Sequence, residues 1–158
     1  MTEAKIIVID DNAAILKTLG IVLKGVFTTV ITVGDPQLIP AIISAGDVDV
    51  VLLDMNFGTG RLDGQDGLFW LDRIKHRSHL PHPPAVVLIT AFGDVALAVE
   101  SLKQGADDFV QKPWNNDRLI QILNDAINKR RADILHKDVA SDGQNVVNSY
   151  ILSLVKRY

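Results

Sequence analysis

The sequence predicts an α/β fold in which a parallel sheet is covered by helices on both faces. Two observations carry this. The short runs KIIVID (5–10), VDVVLLDM (48–55) and AVVLITA (85–91) are almost continuously apolar, as strands buried on both faces must be. Strand-like and helix-period segments then alternate five times along the chain, the rhythm of a sheet built from strand–helix–strand units. With 158 residues, 47% of them apolar and 22% charged, the chain is long and apolar enough for one domain with a substantial core. It holds no cysteine, which excludes disulfides and thiolate metal sites. A net charge of −3 gives no basic footprint, so no direct nucleic-acid contact is expected of this segment. No apolar run approaches membrane-spanning length and MTEAK at the start lacks a signal core, so no membrane contact and a cytoplasmic location are expected.

The elements follow in order. KIIVID is the first strand, and NAAILKTLGIVLKG (12–25) the first helix, with Ile15, Leu19, Val22 and Leu23 at helical spacing and Gly25 at its stop. FTTVITVGD (27–35) is a strand rich in β-branched residues. PQLIPAIISAG (36–46) reads as a helix opened by Pro36 and closed by Gly46, with Pro40 near its first turn. VDVVLLDM is the third strand. A polar loop, NFGTGRLDGQDG (56–67), leads to the helix LFWLDRIKHR (68–77), which SHLPHPP (78–84) breaks. AVVLITA is the fourth strand, and GDVALAVESLKQGA (93–106) a helix capped near Asp94. DDFVQK (107–112) is a short last strand, and NNDRLIQILNDAINKRRADILHK (115–137) a long helix. Lys129, Arg130 and Arg131 read as a solvated helix end. SDG (141–143) is the one boundary signal, which predicts a domain over 1–137 and a helical linker or tail over 138–158.

Ligands of an open parallel sheet bind beyond the carboxyl ends of its strands. There the sequence places Asp10 and Asp11, then Asp54, then Thr90 and Ala91, then Lys112 and Pro113. Three carboxylates held together repel strongly, and one lysine cannot neutralise them. A hard divalent cation can, and Mg2+ suits a few carboxylates with water and a phosphoryl oxygen. A phosphoryl group at Asp54 would then meet the metal, Lys112, the Thr90 hydroxyl and backbone N–H groups nearby. The aspartate pair becomes a metal seat and Asp54 the nucleophile. Any one of these motifs alone means little, because an Asp-Asp pair after a strand is most often a turn and helix cap. Their joint occurrence in order is the specific signal.

IDDN (9–12), LLDMN (52–56), LITAF (88–92) and DDFVQKPW (107–114) together resemble the response-regulator receiver domain of two-component signalling, over about residues 4–131. The KPW end and the stretch from Thr90 to Trp114 are most similar to receivers of the nitrogen-regulator class. The resemblance implies a flavodoxin-like, three-layer, doubly wound sheet of order 2-1-3-4-5. It implies phosphate transfer from a sensor histidine kinase to Asp54, and no enzyme activity beyond assisting that phosphorylation and its reversal. It implies Mg2+ bound by Asp11 directly, by Asp10 through water, by Asp54, and by the backbone carbonyl of Asn56. It further implies that Lys112 pairs with the phosphoryl group and precedes a cis bond to Pro113. Thr90 would swing toward the phosphate, with Phe109 as the aromatic switch that follows it.

One departure from the family pattern is plain. Many receivers carry Met-Pro and then Asp-Gly soon after the phosphoacceptor. Here no Met-Pro follows, Asp66-Gly67 comes about five residues late, and the loop holds Gly58, Gly60, Gly64 and Gly67. That loop is expected to tighten when metal and phosphoryl group arrive. Its spacing does not fit a calcium loop, since Gly58, Thr59 and Gln65 stand where ligands and the turn glycine belong. A Mg2+-dependent aspartyl-phosphate phosphatase is the rival reading, but it wants an acid two residues after the nucleophile, where Asn56 stands. A flavin site is disfavoured by the acidic rim. His76, His79 and His82 are evenly spaced, but Pro81, Pro83 and Pro84 prevent a helix from aligning them. Finally, Ile120, Leu123, Ile127 and Ile134 form a heptad-like stripe, and Val147, Tyr150, Ile151 and Leu154 a second one. Together they predict a weak homodimer and a tail leading toward a missing carboxyl-terminal output domain.

Overall fold

The computed structural model describes residues 1–56 and 65–141. The strands are β1 (Thr2–Ile9), β2 (Phe27–Val33), β3 (Val50–Asp54), β4 (Ala85–Thr90) and β5 (Asp108–Gln111). The helices are α1 (Ala13–Lys24), α2 (Ile39–Ser44), α3 (Gln65–His76), α4 (Val95–Lys103) and α5 (Asn116–Ser141). The strands form one sheet of order β2-β1-β3-β4-β5, all parallel. The doubly wound three-layer α/β fold expected from the sequence is therefore the fold observed.

Alternation along the strands divides the core in two. Ile6, Val8, Val50, Leu52, Val87 and Ile89 face α1 and α5, where Leu19, Leu23, Leu119, Leu123 and Ile127 meet them. Ile7, Ile9, Val51, Leu53, Val86 and Leu88 face the opposite layer, where Ile39, Ile43, Trp70, Leu71 and Ile74 of α2 and α3 cover them. Every residue of β3 and β4 is buried, which explains why those strands read as unbroken apolar runs. The edge strand β2 exposes Thr28, Thr29 and Thr32.

Several expectations need correction. The span 36–46 is not one helix: a 3-10 turn at Pro36–Leu38 precedes α2, and Pro40 falls in the first turn of α2, the position a proline tolerates. Asp94 stands at the start of α4 but its side chain makes no capping hydrogen bond. Gly25, by contrast, stands at the end of α1 as expected, in right-handed geometry at φ −76°. Arg130 and Arg131 are not a solvated helix end, because α5 runs on for ten more residues. Arg130 donates to the carbonyls of His82 and Pro83 at 2.8 and 3.0 Å. Arg131 donates to Asp49 Oδ1 at 3.2 Å and to the Glu3 carbonyl at 2.7 Å. Asp49 Oδ2 accepts the Lys5 N–H at 2.9 Å, so this buried acid ties α5 to the amino ends of β1 and β3. Two members of the α5 stripe, Leu123 and Ile127, are fully buried against the sheet, while Ile120 and Ile134 are half-buried.

α5 passes Lys137 without a break. The glycines at 58, 60 and 64 and the second apolar stripe, Val147 to Leu154, lie outside the described residues. No helix among the described residues is long and apolar enough to cross a membrane.

Candidate phosphoryl and metal site

Four neighbouring strands deliver the site. Asp10 and Asp11 follow β1, Asp54 ends β3, Thr90 ends β4, and Lys112 follows β5. Parallel pairing brings these carboxyl ends to one rim, and one oxygen from each of Asp10, Asp11 and Asp54 lies within 4.8 Å of the others.

Asp10 is 1% exposed. Its Oδ1 accepts the Asn12 N–H at 2.9 Å, while its Oδ2 is buried with no hydrogen-bond partner. The helix-capping duty of this turn belongs to Asn12, whose Oδ1 accepts the N–H groups of Ala14 and Ile15 at 3.0 and 3.1 Å. Asp10 therefore does not serve as the cap of α1. Burial raises the Asp10 carboxyl above its ordinary range, the Asn12 N–H and Lys112 oppose this, and Asp11 adds to it.

Asp54 is 5% exposed and meets Lys112 Nζ at 3.3 Å. Its carboxyl is raised to about 6, first by burial and then by the Asp10 charge, against the pull of Lys112 and of the Asn56 N–H bonded to it. Among the described residues, Lys112 is the ammonium that meets Asp54. An orphaned buried carboxylate oxygen and three oxygen donors within reach of one point fit a hard divalent cation.

Thr90 is fully buried, and its hydroxyl donates to the Val110 carbonyl at a long 3.4 Å rather than to Asp54. Ala91 follows it at the exposed rim. Lys112 N–H donates to the Thr90 carbonyl at 2.9 Å, holding the end of β5 against β4. The peptide from Lys112 to Pro113 is cis. Phe109 sits half-buried on β5 opposite Leu88, packed on the α2–α3 side of the sheet. The three histidines do not converge on a metal: His76 bonds the Gln104 carbonyl at 3.1 Å, and the acidic rim is the one candidate cluster among the described residues.

The profile of the response regulator receiver domain matches residues 6–124, a span that includes every one of these rim residues. The chain belongs to the response regulator receiver domain family. Within it the relatives are of the nitrogen-regulator, NtrX-like kind as well as FixJ. The transcriptional regulatory protein FixJ of Bradyrhizobium diazoefficiens is 33% identical over 141 residues, covering 89% of this chain and 65% of FixJ. The nitrogen assimilation regulatory protein NtrX of Azorhizobium caulinodans is 36% identical over 126 residues, 80% of this chain and 26% of that protein. NtrX from Brucella abortus, solved in complex with ATP, superposes with a TM-score of 0.72 at 32% identity, over 85% of this chain and 29% of that one. A receiver domain from Bacteroides fragilis superposes at 0.67 and 38% identity, covering 80% of this chain and 98% of its own. This receiver thus spans less than two thirds of the full-length regulators it matches. Receiver domains of response regulators are phosphorylation-dependent signalling switches that bind Mg2+ at an acidic pocket, and in this one Asp10, Asp11 and Asp54 form a group that could hold a metal ion.

The division of labour inside the aspartate turn was not legible from residue types alone. By residue type the cap falls to the aspartate pair, whereas Asn12 caps α1 and Asp10 Oδ2 is left without a partner. The Asn56 N–H on the Asp54 carboxylate is a backbone contact with no sequence signature.

Proposed function

We propose that this receiver takes a phosphoryl group from a sensor histidine kinase onto Asp54, and that the phosphorylated form presents an altered surface that controls transcription. The observation that carries the reading is the buried Asp54 carboxylate, 3.3 Å from Lys112 Nζ and within 4.8 Å of the Asp10 and Asp11 oxygens. Asp10, Asp11, Asp54 and the backbone carbonyl of Asn56 would hold Mg2+. When bound, Mg2+ supplies the positive charge that offsets both the carboxylates and the phosphoryl oxygens.

With its carboxyl at about 6, Asp54 is ionised above that pH and serves as nucleophile. One of its oxygens bonds to phosphorus as the P–N bond of the donor phosphohistidine breaks, and that electron pair leaves with the imidazole. Lys112 Nζ trades the carboxylate for a phosphoryl oxygen, and the Ala91 N–H and Thr90 hydroxyl take others. The long Thr90–Val110 bond supports a hydroxyl that turns readily. Phe109, on the neighbouring strand, takes the space it leaves. The responding face is then α4, β5 and the start of α5. The greater length of the relatives supports reading 1–137 as the receiver and 138–158 as a linker toward an output domain. A weak homodimer, joined through the apolar stripe at 147–154, is the assembly this reading expects.

Incubation with Mg2+ and a small phosphodonor such as phosphoramidate tests the first step. One phosphoryl mass should appear on Asp54, as an acyl phosphate that borohydride reduces, and should vanish in Asp54→Asn or with chelator. Label on another residue, or label indifferent to Mg2+, refutes the assignment.

A further inference from the structure

Gly67 is the third residue of α3, where a helix N–H has no partner within the helix. That N–H donates to the Met55 carbonyl at 2.9 Å. Met55 N–H in turn donates to the Ile89 carbonyl of β4 at 3.0 Å, and the Met55 side chain is fully buried. The residue between Asp54 and Asn56 is therefore pinned from both sides, by β4 and by α3. The approach of α3 is very close: a Cβ built on Gly67 would lie 2.7 Å from Met55 Cα, 2.8 Å from its Sδ and 3.0 Å from its carbonyl oxygen. Contacts under 3.0 Å force something to move. A thioether can swing aside, but a Cα cannot, so the strand end itself would have to shift.

The consequence reaches the rim. Met55 is bonded covalently to the nucleophile on one side and to Asn56 on the other, and the Asn56 N–H holds the Asp54 carboxylate. We propose that Gly67 is a positioning residue that sets the placement of the Asp54–Asn56 segment, and with it the receiver's affinity for Mg2+. This rests on the metal reading above. It also gives a physical account of the late Asp66-Gly67: however long the preceding loop, a residue without a side chain must return to the Met55 carbonyl.

The test is Mg2+ titration by calorimetry on the full chain, beside urea unfolding. Gly67→Ala should weaken Mg2+ binding by roughly tenfold or more. Ile74→Ala, which hollows the core on the same helix away from the rim, should lower stability yet keep Mg2+ affinity within about twofold. An ester in place of the Gly67 amide, introduced as glycolic acid, removes the donor without adding a Cβ, and should weaken binding by at least about threefold. This variant carries the test even if Gly67→Ala fails to fold. Asp11→Ala is the reference for loss of the metal site. If Asp11→Ala loses Mg2+ while Gly67→Ala and the ester bind as the parent does, the positioning role is overturned and the metal site stands. Should the ester alone decide and bind as the parent, the role is equally overturned. If the parent itself does not bind Mg2+, the metal reading falls and this inference with it.

Discussion

Asp54→Asn should make the metal-free protein more stable. The Asp54 carboxyl moves from 3.8 to about 6 on folding, because burial and the Asp10 charge disfavour its ionised form. A shift of that size is about 3 kcal/mol at full weight. Water reaching the rim beside exposed Asp11 reduces it, and asparagine forfeits the attraction of Lys112, so a gain of about 1–3 kcal/mol is expected at pH 7.5. The sign follows from proton uptake. Between 3.8 and about 6 the folded state holds a proton that the unfolded chain has released, so the parent loses stability as pH rises through that window. Above it both states are ionised and the penalty is fully present, whereas below it both are protonated and the penalty is gone. The advantage of the variant should grow from pH 4 to pH 6 and then level. Urea unfolding in EDTA at several pH values measures it, and millimolar Mg2+ should narrow the gap by stabilising the parent alone. A variant no more stable than the parent at pH 7.5 in EDTA, with a gap that ignores pH, refutes the reasoning.

Thr90→Ala should leave phosphorylation of Asp54 measurable but remove the chemical-shift response of α4, β5 and early α5 to beryllofluoride; shifts that move as in the parent sink the coupling. Asp49→Ala should cost about 3–5 kcal/mol, since it orphans the Lys5 N–H and strips half-buried Arg130 and Arg131 of their acid, whereas Arg131→Ala, 48% exposed, should cost about 1 kcal/mol or less by thermal or urea unfolding. Sedimentation of the whole chain should show a weak dimer strengthened by beryllofluoride and weakened by truncation at Lys137; monomers throughout at high concentration would eliminate the dimer.

The sequence alone determined the layered α/β fold, because burial on both faces writes itself as unbroken apolar runs at 48–55 and 85–91, and helices write themselves as 3.6-residue periodicity. It also located the rim, because a strand that ends on Asp10 and Asp11, another on Asp54 and a last one on Lys112 is a pattern of residue types at positions fixed by topology. What it could not supply were contacts between residues far apart in the chain. Arg130 and Arg131 read as solvated charge, since the sequence does not say that Asp49 in an apolar strand will be beneath them. Leu123 and Ile127 carry the same apolar stripe whether they face a sheet or a second helix, and only packing decided for the sheet. The free oxygen of Asp10, the long Thr90 hydroxyl bond and the 2.7 Å approach at Gly67 likewise exist only once four strand ends and α3 are brought together. Periodicity records which face of an element leaves water; it carries no record of what that face meets, and the chemistry at this rim is set by what meets.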